Sequence, residues 1–78
     1  MRAITLLEVE GAGAARITRS LLGEPQVTRV HATNGKWDLI AELATDTLAD
    51  LDETLARLRR IPGVTASETN LLLSTRRP

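Results

Sequence analysis

The Asn34-Gly35 pair constrains the fold of this chain most, because it stands between two strand-like runs, QVTRVHAT and KWDLIAELA. Asn-Gly favours a two-residue type I′ turn, in which both central residues adopt positive φ. The sequence therefore predicts a β-hairpin over residues 26–44. A turn of that length fixes four opposing pairs across the hairpin: Thr33 with Lys36, Ala32 with Trp37, His31 with Asp38, and Val30 with Leu39.

Strand and helix patterns alternate along the rest of the chain. The aliphatic run 3–9 predicts a first strand, and Ala14, Ile17 and Leu21 recur at helical spacing before Gly23 and Pro25 end the pattern. Residues 45–63 predict a second helix with Asp46 or Thr47 as its N-cap. Its apolar stripe comprises Leu48, Leu51, Leu55 and Leu58. Residues 64–75 predict a last strand.

The resulting element order, βαββαβ, predicts the fold class. This order is typical of a ferredoxin-like α+β domain, a four-stranded antiparallel sheet with two helices on one face. The 78 residues are expected to form a single domain over residues 1–78. A chain this short buries a thin core, so we expect it to gain stability by oligomerisation.

Alternation along the hairpin divides its side chains between two faces of the sheet. The face expected to meet the helices carries Val30, Ala32, Trp37, Leu39, Ala41 and Leu43. The opposite face carries Arg29, His31, Lys36, Asp38, Ile40 and Glu42. In this fold Ile4 and Leu6 of the first strand lie beside Ile40, which gives an apolar centre with a charged rim. We therefore predict a homodimer through Ile4, Leu6, His31 and Ile40.

Composition excludes several classes of function. The chain has no cysteine and one histidine, so disulfides, thiolate chemistry and a zinc site are not expected, and no cofactor is implied. Ten basic residues balance ten acidic ones, so direct nucleic-acid binding is not expected. The N-terminal apolar run is too short for a signal peptide or a membrane span, and we expect a cytoplasmic protein.

Residues 34–38 form the candidate ligand site. The backbone at Asn34, Gly35 and Lys36 offers donors for a carboxylate, Asp38 offers an acceptor for an ammonium group, and Trp37, itself expected in the core, offers an apolar wall. His31 opposite Asp38 suggests an oriented general base, but no third catalytic member is near in sequence. A solvated ion pair is the preferred interpretation of that pair.

Two segments of the chain resemble a known family. TNGKWDLIAEL, followed by LARLRRIPGVTASET, is similar to the C-terminal effector domain of the leucine-responsive/asparagine-regulator (Lrp/AsnC, or feast/famine) family. Its Thr-Gly-x-aromatic-Asp stretch is matched by Thr33, Gly35, Trp37 and Asp38, with Asn34 as an extra residue. Its Ile-Pro-Gly-Val stretch is matched by residues 61–64.

The resemblance implies a non-enzymatic effector-binding and oligomerisation module. Such domains dimerise through their sheets into an α/β-barrel-like assembly, form rings of dimers, and bind amino acids in clefts between dimers. Carried over, the effector site comprises Asn34, Gly35, Lys36, Trp37 and Asp38. Starting at the first strand, the chain resembles stand-alone members without a helix-turn-helix domain, for which full-length relatives are further partners.

Three alternatives share this element order. A small dimeric α/β-barrel enzyme, similar to monooxygenases, would use His31, Asn34 and Trp37. An ACT-like regulatory module would bind an amino acid near the first strand-to-helix loop, EGAGA. A purely structural scaffold would bind no small molecule.

Overall fold

The computed structural model describes all 78 residues and has the predicted fold. Its elements are β1 (Arg2–Val9), a 3₁₀ turn (Gly11–Gly13), α1 (Ala14–Leu22), β2 (Val27–Ala32), β3 (Leu39–Ala44), α2 (Leu48–Arg59) and β4 (Val64–Leu71). The strands form one sheet in the order β2-β3-β1-β4, with every neighbouring pair antiparallel. The prediction of a ferredoxin-like α+β domain is confirmed.

The core lies between one face of the sheet and the two helices. Its buried side chains are Ala3, Leu7, Val27, Leu39, Ala41 and Leu43 from the strands, and Ile17, Leu21, Leu51, Leu55 and Leu58 from the helices. Two buried hydroxyls are also satisfied. Thr5 Oγ1 lies 3.0 Å from the hydroxyl of Thr69, and Thr54 donates to the carbonyl of Asp50 at 2.8 Å. Burial of these two hydroxyls therefore carries little penalty, whereas the buried Oε1 of Gln26 has no hydrogen-bond partner.

The second helix begins where its sequence indicates. The side chain of Thr47 accepts the N–H of Asp50 at 3.0 Å, so Thr47 and not Asp46 is the N-cap. Leu48 was expected on the buried stripe, but its side chain is 54% exposed because it lies at the first helical position, beyond the edge of the core. The apolar stripe therefore starts at Leu51.

An ion pair joins the turn after α1 to α2. The Nε of Arg57 donates to both carboxylate oxygens of Glu24, at 2.8 and 3.1 Å. This hydrogen bonding to Glu24 raises the pKa of the Arg57 guanidinium above its ordinary value. The pair links the two helices at the surface.

The connection between β2 and β3 differs from the predicted turn. Residues 33–38 form a loop, and Gly35 does not have positive φ, since only Gly11 and Gly63 do. The predicted two-residue type I′ turn is therefore wrong. Across the hairpin Ala32 pairs with Leu39, and His31 pairs with Ile40 where Asp38 was expected, so the register is displaced by two residues.

A long-range contact explains the wider loop. The backbone N–H of Asp38 donates to the carbonyl of Leu7 at 2.9 Å, and a carboxylate oxygen of Asp38 accepts the N–H of Val9 at 2.9 Å. Residue 38 is thus held against the end of β1 and cannot pair with β2 as a tight turn requires. These bonds outweigh the local preference of Asn-Gly.

Two strand boundaries also differ from prediction. The first strand begins at Arg2, one residue early, and the last ends at Leu71 although the predicted strand continues to residue 75. One ladder bond follows that end, from the N–H of Leu72 to the carbonyl of Arg2 at 2.9 Å. Arg2 is the first residue of β1, so residues 73–75 extend past this strand and have no strand residues to pair with.

Candidate ligand-binding site

The 33–38 loop is ordered by its own first residue. The hydroxyl of Thr33 accepts the N–H of Gly35 at 2.9 Å and donates to the carbonyl of Trp37 at 3.0 Å. The N–H of Thr33 donates to the carbonyl of Asp38 at 3.0 Å. One threonine therefore bridges the start, middle and end of the loop, and these bonds fix its backbone.

Three backbone donors in this loop have no partner in the chain. The N–H groups of Asn34, Lys36 and Trp37 make no hydrogen bond, and residues 34–36 are exposed. Closely spaced backbone N–H groups provide suitable donors for a carboxylate. The loop therefore presents an ordered set of donors to its surroundings.

Trp37 lies at the side of this loop and not in the core. Its side chain is half-buried and does not belong to the core cluster, so the expectation of a core tryptophan is wrong. The reason is the register: Trp37 belongs to the loop, where strand alternation no longer assigns it to the helix face. The Nζ of Lys36 lies 5.4 Å from the centroid of the indole ring. This distance is within cation–π range.

Asp38 supplies the only carboxylate of the loop. It is half-buried, and its Oδ2 accepts the Val9 N–H while Oδ1 makes no hydrogen bond within the chain. Oδ2 thus has a structural role, whereas Oδ1 has no partner within the chain. One carboxylate oxygen is therefore free to accept a hydrogen bond from another molecule. The single chain has no pocket around this loop.

His31 has a different partner from the one predicted. Its Nε2 lies 2.6 Å from Oε2 of Glu42, and Arg2 Nη2 lies 3.7 Å from Oε1 of the same carboxylate. The His31–Asp38 pair does not form, because the register places Ile40 opposite His31. Hydrogen bonding from His31 lowers the pKa of Glu42, an effect that desolvation partly opposes.

The structure gathers the four predicted interface residues on the outer face of the sheet, the face away from the helices. Leu6 pairs with Ile40, Ile40 pairs with His31, and Ile4 lies two residues before Leu6 on β1. Sequence reasoning missed Leu72, whose N–H bonds to the carbonyl of Arg2. Asn70 pairs with the outer-face residue Ile4, and Leu72 follows it by two residues, so strand alternation places Leu72 on the outer face as well.

Three comparisons relate the whole chain to known proteins. The family model described as the Lrp/AsnC ligand binding domain matches residues 2–78. The HTH-type transcriptional regulator FL11 of Pyrococcus horikoshii is 27% identical over 75 residues, which make up 96% of this chain and 50% of the regulator. The chain thus spans about half the length of the curated relatives it matches.

Solved structures share the fold over nearly the whole chain. The crystal structure of FFRP-DM1 superposes with a TM-score of 0.89 at 27% identity and covers 92% of this chain and 97% of that one. TTHA0845 from Thermus thermophilus gives a TM-score of 0.91 at 23% identity, covering 99% and 98%. Neither helix of the present chain is long and apolar enough to cross a membrane.

Proposed function

The chain belongs to the Lrp/AsnC ligand-binding domain family, and from that premise we propose that it is a non-enzymatic effector-binding module that senses an amino acid or a related small metabolite. The observation that supports this proposal is the 33–38 loop, whose backbone is fixed by Thr33 while three of its N–H groups are unpaired. A fixed loop with free donors binds a small ligand without a large ordering cost.

The loop has a complementary group for each part of an amino acid. The carboxylate of the ligand accepts from the N–H groups of Asn34 and Lys36, with Gly35 allowing close approach. The ammonium group of the ligand binds Oδ1 of Asp38, and its side chain packs against the indole of Trp37. The ammonium of Lys36 adds positive charge near the carboxylate.

Assembly completes the site in this proposal. The loop is open in the single chain, so a second copy closes it to form a cleft. The copies pair through the outer face at Ile4, Leu6, His31 and Ile40, and dimers associate further into rings. We place the module in the cytoplasm, with full-length regulators of the same family as further partners.

A thermal-shift screen of the chain against the twenty amino acids, together with keto acids and nucleotides, tests this function. A ligand at about one hundred times its dissociation constant adds about 2.7 kcal/mol of stability. In a domain of this size, that increment raises the melting temperature by roughly 10 °C or more. If no amino acid, keto acid or nucleotide moves the transition, the proposed sensing function is wrong.

The Asp38→Asn variant tests the assigned residues. Its amide oxygen still accepts the Val9 N–H, so the fold is retained while the negative charge is lost. We expect the ligand-induced shift to disappear. Asp52→Asn is the matched control, because Asp52 is an exposed carboxylate on α2. A shift that survives Asp38→Asn would instead place the ligand at another loop, such as EGAGA (residues 10–14), the loop expected for an ACT-like module.

A further inference from the structure

Opposite edges of the outer face carry opposite charges. The register aligns one row of side chains across all four strands, in the order His31, Ile40, Leu6 and Glu68. Arg29 lies on β2 beside His31, so the β2 edge is basic. Glu68 lies on β4, so the far edge is acidic, and the apolar side chains of Ile40 and Leu6 separate the two.

Ion pairing within one chain leaves these charges unbalanced. Glu42 is the single carboxylate that pairs with both His31 and Arg2, and Arg29 lies opposite it on β2. Glu68 takes part in none of the three ion pairs of the chain, because the remaining pair joins Arg57 to Glu24. The Glu68 carboxylate accepts only the side-chain N–H of Asn70, at 3.4 Å. Surplus positive charge thus lies at one edge and an unpaired carboxylate at the other.

We propose that a second copy of this chain stacks on the outer face with the twofold axis parallel to the strands, so that His31 of each copy faces Glu68 of the other. This inference rests on the sheet-face dimer of the proposed function and specifies its orientation. An axis along the strands places β2 of one copy over β4 of the other. The basic edge then meets the acidic edge twice, once on each side of the apolar centre.

The other face-to-face arrangement is electrostatically unfavourable. An axis across the strands places β2 over β2 and β4 over β4, so that Arg29 and His31 face their own copies and Glu68 approaches Glu68. Stacked sheets lie about 10 Å apart, a gap that the combined lengths of a histidine and a glutamate side chain span. Like charges at that separation disfavour this arrangement, and complementary charges favour the first one.

The orientation makes association sensitive to pH. Imidazole changes charge in the range of about pH 5 to 8, and its protonated form attracts a carboxylate. The charged groups around His31 are Arg29 on β2, Glu42 on β3, Arg2 on β1 and, across the interface, Glu68 of the second copy. Protonation adds a positive charge facing Glu68, so the dimer is tighter at about pH 6 than at about pH 8.

A charge-exchange experiment tests the orientation. One chain carries Glu68→Lys, and the other carries His31→Glu with Glu42→Gln, which avoids placing two carboxylates side by side on β2 and β3. Each chain alone brings like charges together twice, and we expect its dimer to be weaker than wild type by roughly tenfold. In the mixed dimer the substituted positions attract each other and the unsubstituted pair is kept, so we expect near wild-type affinity.

Sedimentation equilibrium at micromolar concentration, after circular dichroism has verified folding, gives the dissociation constants. Asp52→Lys on α2 is the control and is expected to dimerise like wild type. Glu68→Gln provides a second measurement, because it should abolish the gain in affinity between about pH 8 and about pH 6. Preferential heterodimers together with loss of the pH effect would support the orientation.

The contrary outcomes separate this inference from the proposed function. If the wild type dimerises but the two substituted chains show no preference for each other, or Glu68→Gln keeps the pH effect, the orientation is wrong although the dimerisation expected of the proposed function is retained. If the wild type is monomeric, the sheet-face dimer of the proposed function is wrong as well. The ligand-induced thermal shift is measured independently of both.

Discussion

Glycine-to-alanine substitutions at three positions test the backbone conformation of this structure, in particular the absence of positive φ at Gly35. Gly63 has φ of 98°, and a Cβ there would lie 3.0 Å from both Ile17 Cδ1 and Arg16 Nη2. Gly11 has φ of 43°, and a Cβ there would meet no atom within 4 Å. Gly35 does not have positive φ, and its Cβ would lie 3.4 Å from the Thr33 hydroxyl.

The structure predicts a graded series of costs in the free energy of unfolding. Alanine at Gly11 incurs left-handed strain of about 1–2 kcal/mol. The lower entropy of the unfolded chain offsets about 0.4–1 kcal/mol of that strain, which leaves roughly 1 kcal/mol. At Gly63 the same strain is joined by crowding against the fully buried Ile17, which adds about 1–3 kcal/mol, for a total of roughly 2–4 kcal/mol. At Gly35 only the entropic gain acts, and we expect no loss.

Urea unfolding followed by far-ultraviolet circular dichroism, at one fixed chain concentration, measures the three differences. In a domain of this size each kcal/mol corresponds to about 4–8 °C in melting temperature, so Gly63→Ala is also resolved by heating. Loss of stability in Gly35→Ala equal to that of Gly11→Ala would show positive φ at residue 35. The loop conformation described for residues 33–38 would then be wrong, and the two-residue type I′ turn would be correct.

Three further predictions concern side chains. Asp38→Ala leaves the Val9 N–H without its acceptor and should destabilise the chain by about 1–2 kcal/mol, whereas Asp38→Asn should cost less than half of that in the same urea assay. Thr47→Ala removes the N-cap of α2 and should cost about 1 kcal/mol; equal stability of this variant and the wild type would contradict the capping role. Because the folded-state pKa of Glu42 lies below its ordinary value of 4.5, its contribution is complete above that pH and is lost as pH falls through the folded pKa. Glu42→Gln should therefore reduce the loss of stability on acidification below about pH 4.5, and an unchanged acid-unfolding profile would argue against the His31–Glu42 bond.

The sequence predicted the elements whose determinants are local. The helices follow from apolar spacing and from end signals such as Thr47, whose cap bond spans three residues. The loop was not predictable in the same way, because the bonds that widen it join Asp38 to Leu7 and Val9, 31 and 29 positions away. A dipeptide preference contains no information about such a partner. The wrong turn also extended the predicted strand to Trp37 and therefore placed its side chain in the predicted core.

The faces of the paired strand residues were nevertheless assigned correctly, although that of Trp37 was not, and the period of a strand explains why. Side chains alternate every residue, so a register displaced by two residues changes each partner but leaves the side chains of residues 29–32 and 39–43 on their original faces. The residue opposite His31 is Ile40 and not the predicted Asp38, yet Ile40 and Leu6 lie on the same face as His31, as predicted. A displacement by one residue would instead have moved Ile40 to the helix face, away from the interface expected with a second copy. Interface predictions in such sheets therefore depend on the parity of the register more than on its value, whereas predictions for a turn depend on the value itself.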